Sequence, residues 1–364
     1  MPKRSRLLFY LGAALLLGLV IWFFSPVLVY VAVAAVVSLI GRPIVDYLGK
    51  IQIKNRRLPN ALRAMLALMM IYGVAFLLFV LFIPPVLEET KQLEAIEIQS
   101  ITEGLAEPIQ WLESAFQKYE LIGQDASIET YFRDKVFGVL GSAKISNIAN
   151  SIVGFTGDLL IGIFSVTFIA FFFLKERGLL HNIIITLTPA QYVDQVNHIL
   201  QTVKKLLSRY FIGVLTEVLL VGALISIGLV ILGVENALII GFFAGIFNII
   251  PYLGPILGGL LGISLTILSS LELDFYADMV PLTLQVMVVF VVVQLIDNLV
   301  FQPYIYSSSV KAHPLEIFLI ILAAGSFSGV GGMILAIPVY TIIRVVAKEF
   351  FHQLKVVQSI TKSI

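Results

Sequence analysis

The chain has 364 residues, 59% hydrophobic and 13% charged, with a mean hydropathy of +0.99. Soluble globular chains carry roughly a quarter charged residues, so this composition excludes an ordinary soluble domain and points to lipid as the solvent. A net charge of +1 leaves no electrostatic footprint for nucleic acid, and the absence of cysteine removes disulfides, thiol nucleophiles and thiolate metal sites.

Lys3, Arg4 and Arg6 precede the apolar run 7–24 in the manner of a signal peptide. The run continues through Ser25 and Pro26 into more apolar sequence with no small-residue cleavage pattern, so it is read as a retained first helix. About 20 apolar residues cross the hydrocarbon, and that template finds spans at 7–24, 26–48, 63–84, 150–174, 210–233 and 280–302. Two further apolar regions are interrupted: 236–271 at Pro251-Tyr252-Leu253-Gly254-Pro255, and 314–346 at the glycine cluster Gly325 to Gly332. Each reads as a pair of short helices, because proline removes a backbone donor and glycine tolerates a tight turn. The expected fold is all-α: a polytopic membrane protein with about eight transmembrane helices, including broken or re-entrant C-terminal segments. Its expected regions are three transmembrane helices in 1–85, an extracytoplasmic amphipathic helical segment in 86–149, and a C-terminal transmembrane core in 150–364 with a cytoplasmic segment at 175–209.

Lys and Arg in short flanking loops resist translocation, and with the N-terminus inside they divide 19 to 5 in favour of the inner side. Both termini are therefore expected in the cytoplasm. The outer segment is acidic, and Leu93, Ile96, Ile101, Leu105, Ile109, Leu112 and Phe116 recur in it at helical spacing. Such a helix packs on its own protein or on a neighbouring subunit, which leaves a homo-oligomer open, in preference to lying on the membrane, which would want Lys and Arg on its polar face. On the inner side, Thr188-Pro189 marks a helix start, and Ile199, Val203, Leu206 and Leu207 give that helix one apolar face leading into the fifth span.

A charge near the bilayer centre costs roughly 2.5–3.5 kcal/mol, so an intramembrane acid needs a partner or a function. Glu217 stands about two turns into the fifth span, and Asp297 lies late in 280–302. At 100° per residue, Gln294, Asp297, Asn298 and Gln302 share less than half of a helix circumference, a stripe unsuited to lipid. It reads as the polar lining of a transport path, as a set of bonds to other helices, or as a stripe whose Asp297 is near enough to the inner surface to meet water. Asp158, Glu235 and Glu316, nearer span ends, are assigned to the interface. Broken helices at membrane depth line cavities in transporters, which brings Asn248, Pro251, Gly254 and Pro255 into the candidate path. Gly254, Gly258 and Gly262 repeat every four residues and suit close helix packing; Gly325, Gly329, Gly331 and Gly332 suit a turn or a gate hinge. The four histidines, His181, His198, His313 and His352, are too scattered for a metal cluster. No phosphate-binding loop, His-Glu-x-x-His pair or nucleophile elbow occurs, so no enzyme activity, catalytic residue, metal or cofactor is expected.

Leu232-Gly233-Val234, Asn248-Ile249-Ile250-Pro251-Tyr252-Leu253-Gly254-Pro255, Asp297-Asn298 with Gln302-Pro303, and His313-Pro314 occur in an order and spacing that resemble the AI-2E family of permeases. Gly329-Val330-Gly331-Gly332-Met333-Ile334-Leu335-Ala336-Ile337-Pro338, Phe171-Phe172-Phe173-Leu174-Lys175 and Arg57-Leu58-Pro59 extend the likeness over nearly the whole chain, while Ser307 and Lys311 stand where glycines are usual. The resemblance implies a multi-pass protein of the bacterial inner membrane that exports a small solute, with the quorum-sensing signal autoinducer-2 as first candidate. Exchange of sodium or lithium for protons is the runner-up, with Glu217 and Asp297 as the ion-coupling acids. An oligomeric scaffold or channel is the third reading. The partners expected are thus the lipid bilayer and either a small solute or a monovalent cation and a proton.

Overall fold

The computed structural model describes residues 23–53, 56–95, 156–270, 273–303 and 313–351. The first predicted span, apart from its last two residues, lies outside these, as do the amphipathic pattern beyond residue 95 and positions 307 and 311. The described residues form helices α1 (Ser25–Leu48), α2 (Asn60–Ala95), α3 (Thr156–Lys175), α4 (Leu179–Leu187), α5 (Val193–Ile231), α6 (Ala237–Phe247), α7 (Leu253–Ser269), α8 (Val280–Ile296) and α9 (Pro314–Phe351). Their only strands are a two-residue antiparallel pair, β1 (Gln52–Ile53) and β2 (Arg56–Arg57), with Gln52 opposite Arg57. Among the described residues five helices are long and apolar enough to cross a membrane, and 160–175, α6 and α7 are shorter apolar helices. The protein is an all-α polytopic membrane protein, the architecture in which backbone polar groups pair within helices as hydrocarbon demands.

Two compact units divide these elements: 23–75 with 156–211, and 76–95 with 212–351. In the first, Ala34, Ala64, Ala67 and Ala170 are buried with Val45, Leu68 and Leu174. Alanines at such a core let helix backbones approach closely, the usual basis of helix association in lipid. A hydrogen bond of 2.8 Å from Thr167 Oγ1 to the Tyr72 hydroxyl ties α3 to α2. The predicted interfacial helix and fifth span are one continuous helix, α5, of 39 residues.

In the second unit, the core holds Val221, Ile225, Leu229, Val234, Ala237, Ile240, Ala244, Val286 and Val293. The α5–α6 turn is built by its sequence. Gly233, at φ +72°, donates to the Val230 carbonyl, and Val234 donates to Leu229, the two bonds of a Schellman cap. Asn236 then takes a left-handed φ of 59° and starts α6. α6 has 11 residues, about 16 Å at 1.5 Å per residue, and so falls well short of the roughly 30 Å hydrocarbon core.

α9 counts as one helix of 38 residues, yet Ser328 (φ −138°) and Gly329 (φ 59°, ψ −145°) leave helical space. The arms fold back on one another. A Cβ on Gly332 would strike the Ala324 carbonyl, and Tyr340, as far after the turn as Glu316 lies before it, donates to Glu316 Oε2 at 2.8 Å. α9 is therefore a hairpin, and length alone would have miscounted it as a single crossing.

Candidate functional site

Glycine sets the geometry of the site before any polar group does. A Cβ on Gly241 would overlap Ser226 and the Gly222 carbonyl, and one on Gly245 would meet the Val218 carbonyl at 2.5 Å, so α5 and α6 cross backbone to backbone. That antiparallel crossing carries Glu217, one residue before Val218, up to Asn248 at the end of α6. Glu217 is 2% exposed and Asn248 4%. The Asn248 amide Nδ2 faces Glu217 Oε1 at 3.4 Å, long for an N–H···O bond.

The chain then breaks where the prolines predicted. Asn248 caps α6, Tyr252 adopts φ 67°, and α7 starts at Leu253 with Gly254 donating to the Ile250 carbonyl at 2.8 Å. A Cβ on Gly254 would overlap the Phe247 carbonyl, one on Gly258 would meet Ala244 at 3.0 Å, and one on Gly262 would meet Ile240 at 2.9 Å. The glycine stripe is thus the seam along which α7 runs back beside α6. Edge-on contact between Tyr252 and Phe318, at 6.1 Å between ring centroids, joins the break to the first arm of α9.

On α8 the polar stripe is bonded mostly to itself. Gln294 Nε2 donates to Asn298 Oδ1 at 3.0 Å and faces Asp297 Oδ2 at 3.4 Å, while Gln302 Nε2 donates to Asp297 Oδ2 at 2.8 Å. A regular α-helix would not stack residue 302 over 297. The backbone over Asp297–Phe301 is a π turn whose i to i+5 bond runs from Gln302 N to the Asp297 carbonyl, and this brings the Gln302 side chain above the acid. Asp297 is 0% exposed, and its Oδ1 has no hydrogen-bond partner among the described residues. An unsatisfied buried acceptor of this kind costs about 1–3 kcal/mol.

One cavity of about 240 Å³ draws these pieces together. Its wall is mainly apolar, from Val221, Ile225, Phe290 and Val293, with Pro255 and Gly258 from α7 and two amides, Asn248 and Gln294. Glu217 stands one contact behind Asn248, and Asp297 one behind Gln294. The structure thus places Asn248, Pro255 and Gln294 on the cavity wall and Glu217 and Asp297 behind it. Asn298 is exposed, Gln302 serves Asp297, and Pro251 and Gly254 build the break.

The glycine cluster divides its labour. Gly329 takes the turn, Gly325 and Gly332 admit Met333 and the Ala324 carbonyl at close quarters, and Gly331 has open space where a side chain would be. Sequence reasoning missed Gly222, Gly241 and Gly245, although Gly241-Phe242-Phe243-Ala244-Gly245 carries the small-residue spacing that could have revealed the crossing. It also gave Glu316, assigned to the interface, no partner. Glu316 accepts the bond from Tyr340, and Arg344, 3% exposed, lies 5.5 Å from the Tyr340 ring centroid. Among the described residues no group of three His, Asp or Glu side chains is placed to hold a metal.

The profile of the AI-2E family transporter matches residues 11–352. An inferred transport protein of Bacillus subtilis, YueF, is 32% identical over 201 residues, 55% of this chain and 52% of that one. A second from the same organism, YrrI, is 28% identical over 188 residues, 52% of this chain and 51% of its own. This chain therefore spans about half the length of each of these two relatives. An inferred transport protein of Methanocaldococcus jannaschii is 24% identical over 328 residues, covering 88% of both chains.

Proposed function

Because the chain belongs to the AI-2E transporter family, a family of membrane permeases, we propose that it exports a small polar solute by alternating access through the Asn248–Gln294 cavity. The observation that carries this reading is the pairing of two cavity-wall amides with two buried carboxylates directly behind them. The amides orient the solute, and the acids behind them change its binding as they gain or lose a proton. At about 240 Å³ the cavity is below the usual range for drug-sized ligands and suits a compact solute. Autoinducer-2 is the first candidate, and the bacterial inner membrane with both termini cytoplasmic is the proposed setting. The breaks at 248–253 and at Gly329 are the proposed moving parts, since each already leaves helical geometry.

One observation favours a second reading. Asp297 Oδ1, buried without a partner among the described residues, is the atom a proton or a monovalent cation would occupy in exchange of sodium or lithium for protons. Proteoliposomes separate the two. Saturable counterflow of autoinducer-2 or another small polar solute, independent of sodium and lithium, supports export. Proton movement driven by a sodium or lithium gradient, lost in Glu217→Gln or Asp297→Asn, supports antiport. Absence of both activities would overturn the transport reading of this cavity.

A further inference from the structure

We propose that a basic cavity in the first unit binds a phosphate group, of the kind carried by an anionic lipid headgroup or by free phosphate. The cavity, about 660 Å³, forms where α1 ends, the β1–β2 pair turns, α2 begins and α3 ends. Its wall carries Lys50, Arg57, Arg63 and Arg177 against a single acid, Asp46. That acid is already engaged, with Arg177 Nη2 at 2.9 Å and Arg42 Nε at 3.8 Å. The wall therefore keeps a surplus of positive charge that no described acid of the cavity offsets.

Arg63 is also held in place. Arg63 Nε donates to the Leu58 carbonyl at 2.6 Å, and a Cβ on Gly49 would come within 2.9 Å of Arg63 Nη1, so the guanidinium is packed close against Gly49. A guanidinium so fixed presents its remaining N–H groups as a fork, the geometry that suits phosphate oxygens. Asn60, also on the wall, begins α2, whose first-turn N–H groups and dipole add to the attraction.

Position supplies the second half of the argument. The cavity sits at the ends of membrane-crossing helices, and the α2 side chains that follow it, Leu62, Met65, Leu66 and Met69, are exposed and apolar. A phosphate seated among the cations would leave acyl chains running along that face.

Native mass spectrometry of the full chain released from phosphatidylethanolamine nanodiscs, with and without phosphatidylglycerol, tests this. Preferential retention of phosphatidylglycerol is expected, weakened about 25-fold in Lys50→Gln with Arg57→Gln, at about fivefold per juxtamembrane cation. Lys50→Arg should retain it, and Lys348→Gln, outside the cavity, should behave as wild type. Both cavity side chains are exposed, so folding should survive, and gel filtration checks this. A parallel arm adds inorganic phosphate to lipid-depleted protein at matched ionic strength. Thermal stabilisation by phosphate without phosphatidylglycerol retention assigns the site to free phosphate, and the reverse assigns it to a headgroup. Equal retention and stabilisation in wild type and the double variant would overturn the proposal, as would the absence of both effects.

Discussion

Asp297→Asn isolates the chemistry of the buried acid from its shape. Burying an ionised carboxylate costs roughly 2.5–3.5 kcal/mol at the bilayer centre. The Gln302 amide, donating to Oδ2 at 2.8 Å, offsets much of that, at about 1.5–3 kcal/mol for a well-made bond to a charged group, while Gln294 faces the same oxygen at 3.4 Å. Asparagine keeps one oxygen for Gln302 and removes the charge, but it puts an amide nitrogen where Oδ1 stands without a partner, which costs about 1–3 kcal/mol. These effects nearly cancel, so the variant should fold, with stability within about 2 kcal/mol of wild type and a melting shift below about 8 °C. What it cannot do is bind and release a proton. In proteoliposomes under an imposed ion gradient, Asp297→Asn should fail to drive net solute movement while still exchanging solute across the membrane at equilibrium. Gradient-driven movement at the wild-type rate would refute the reasoning, because no titratable group would then be needed at this position.

Gly254→Ala forces a Cβ into the Phe247 carbonyl, so it should cost about 1–3 kcal/mol by overpacking and abolish flux, read by thermal melting and the liposome assay. Gly329→Ala meets open space but a backbone conformation nearly reserved for glycine, so a loss of about 1–3 kcal/mol is expected in melting from strain alone. Tyr340→Phe removes the bond that ties the α9 arms together and should lower stability by about 1 kcal/mol, with faster hydrogen exchange at the hairpin turn.

The membrane class was legible because lipid imposes it on composition. The breaks were legible because proline and clustered glycine act locally: Pro251 lies in the step between α6 and α7, Pro255 in the first turn of α7, and Gly329 at the turn of α9. Glu217 and Asp297 were legible as charges out of place. Their surroundings were not. Gln302 reaches Asp297 only through a π turn, which no hydrophobic period signals. Glu217 meets Asn248, 31 residues on, only because Gly222, Gly241 and Gly245 let two helices touch. Glu316 and Tyr340, 24 residues apart, pair because a helix-length apolar stretch folds back on itself, and this also draws Arg344 out of solvent. Local chemistry announces such residues, whereas their partners are fixed by close approaches that a linear pattern carries only faintly.

The natural chain contains no cysteine, so Gln294→Cys places a single thiol on the cavity wall with no background. Its modification by a charged, membrane-impermeant thiol reagent, measured with solute flux in the same proteoliposomes, tests the transport path most directly. The thiol is expected to react from the aqueous phase, transported solute to slow the reaction, and modification to stop flux. A thiol that never reacts while flux proceeds, or that reacts without loss of flux, would contradict a path through this cavity.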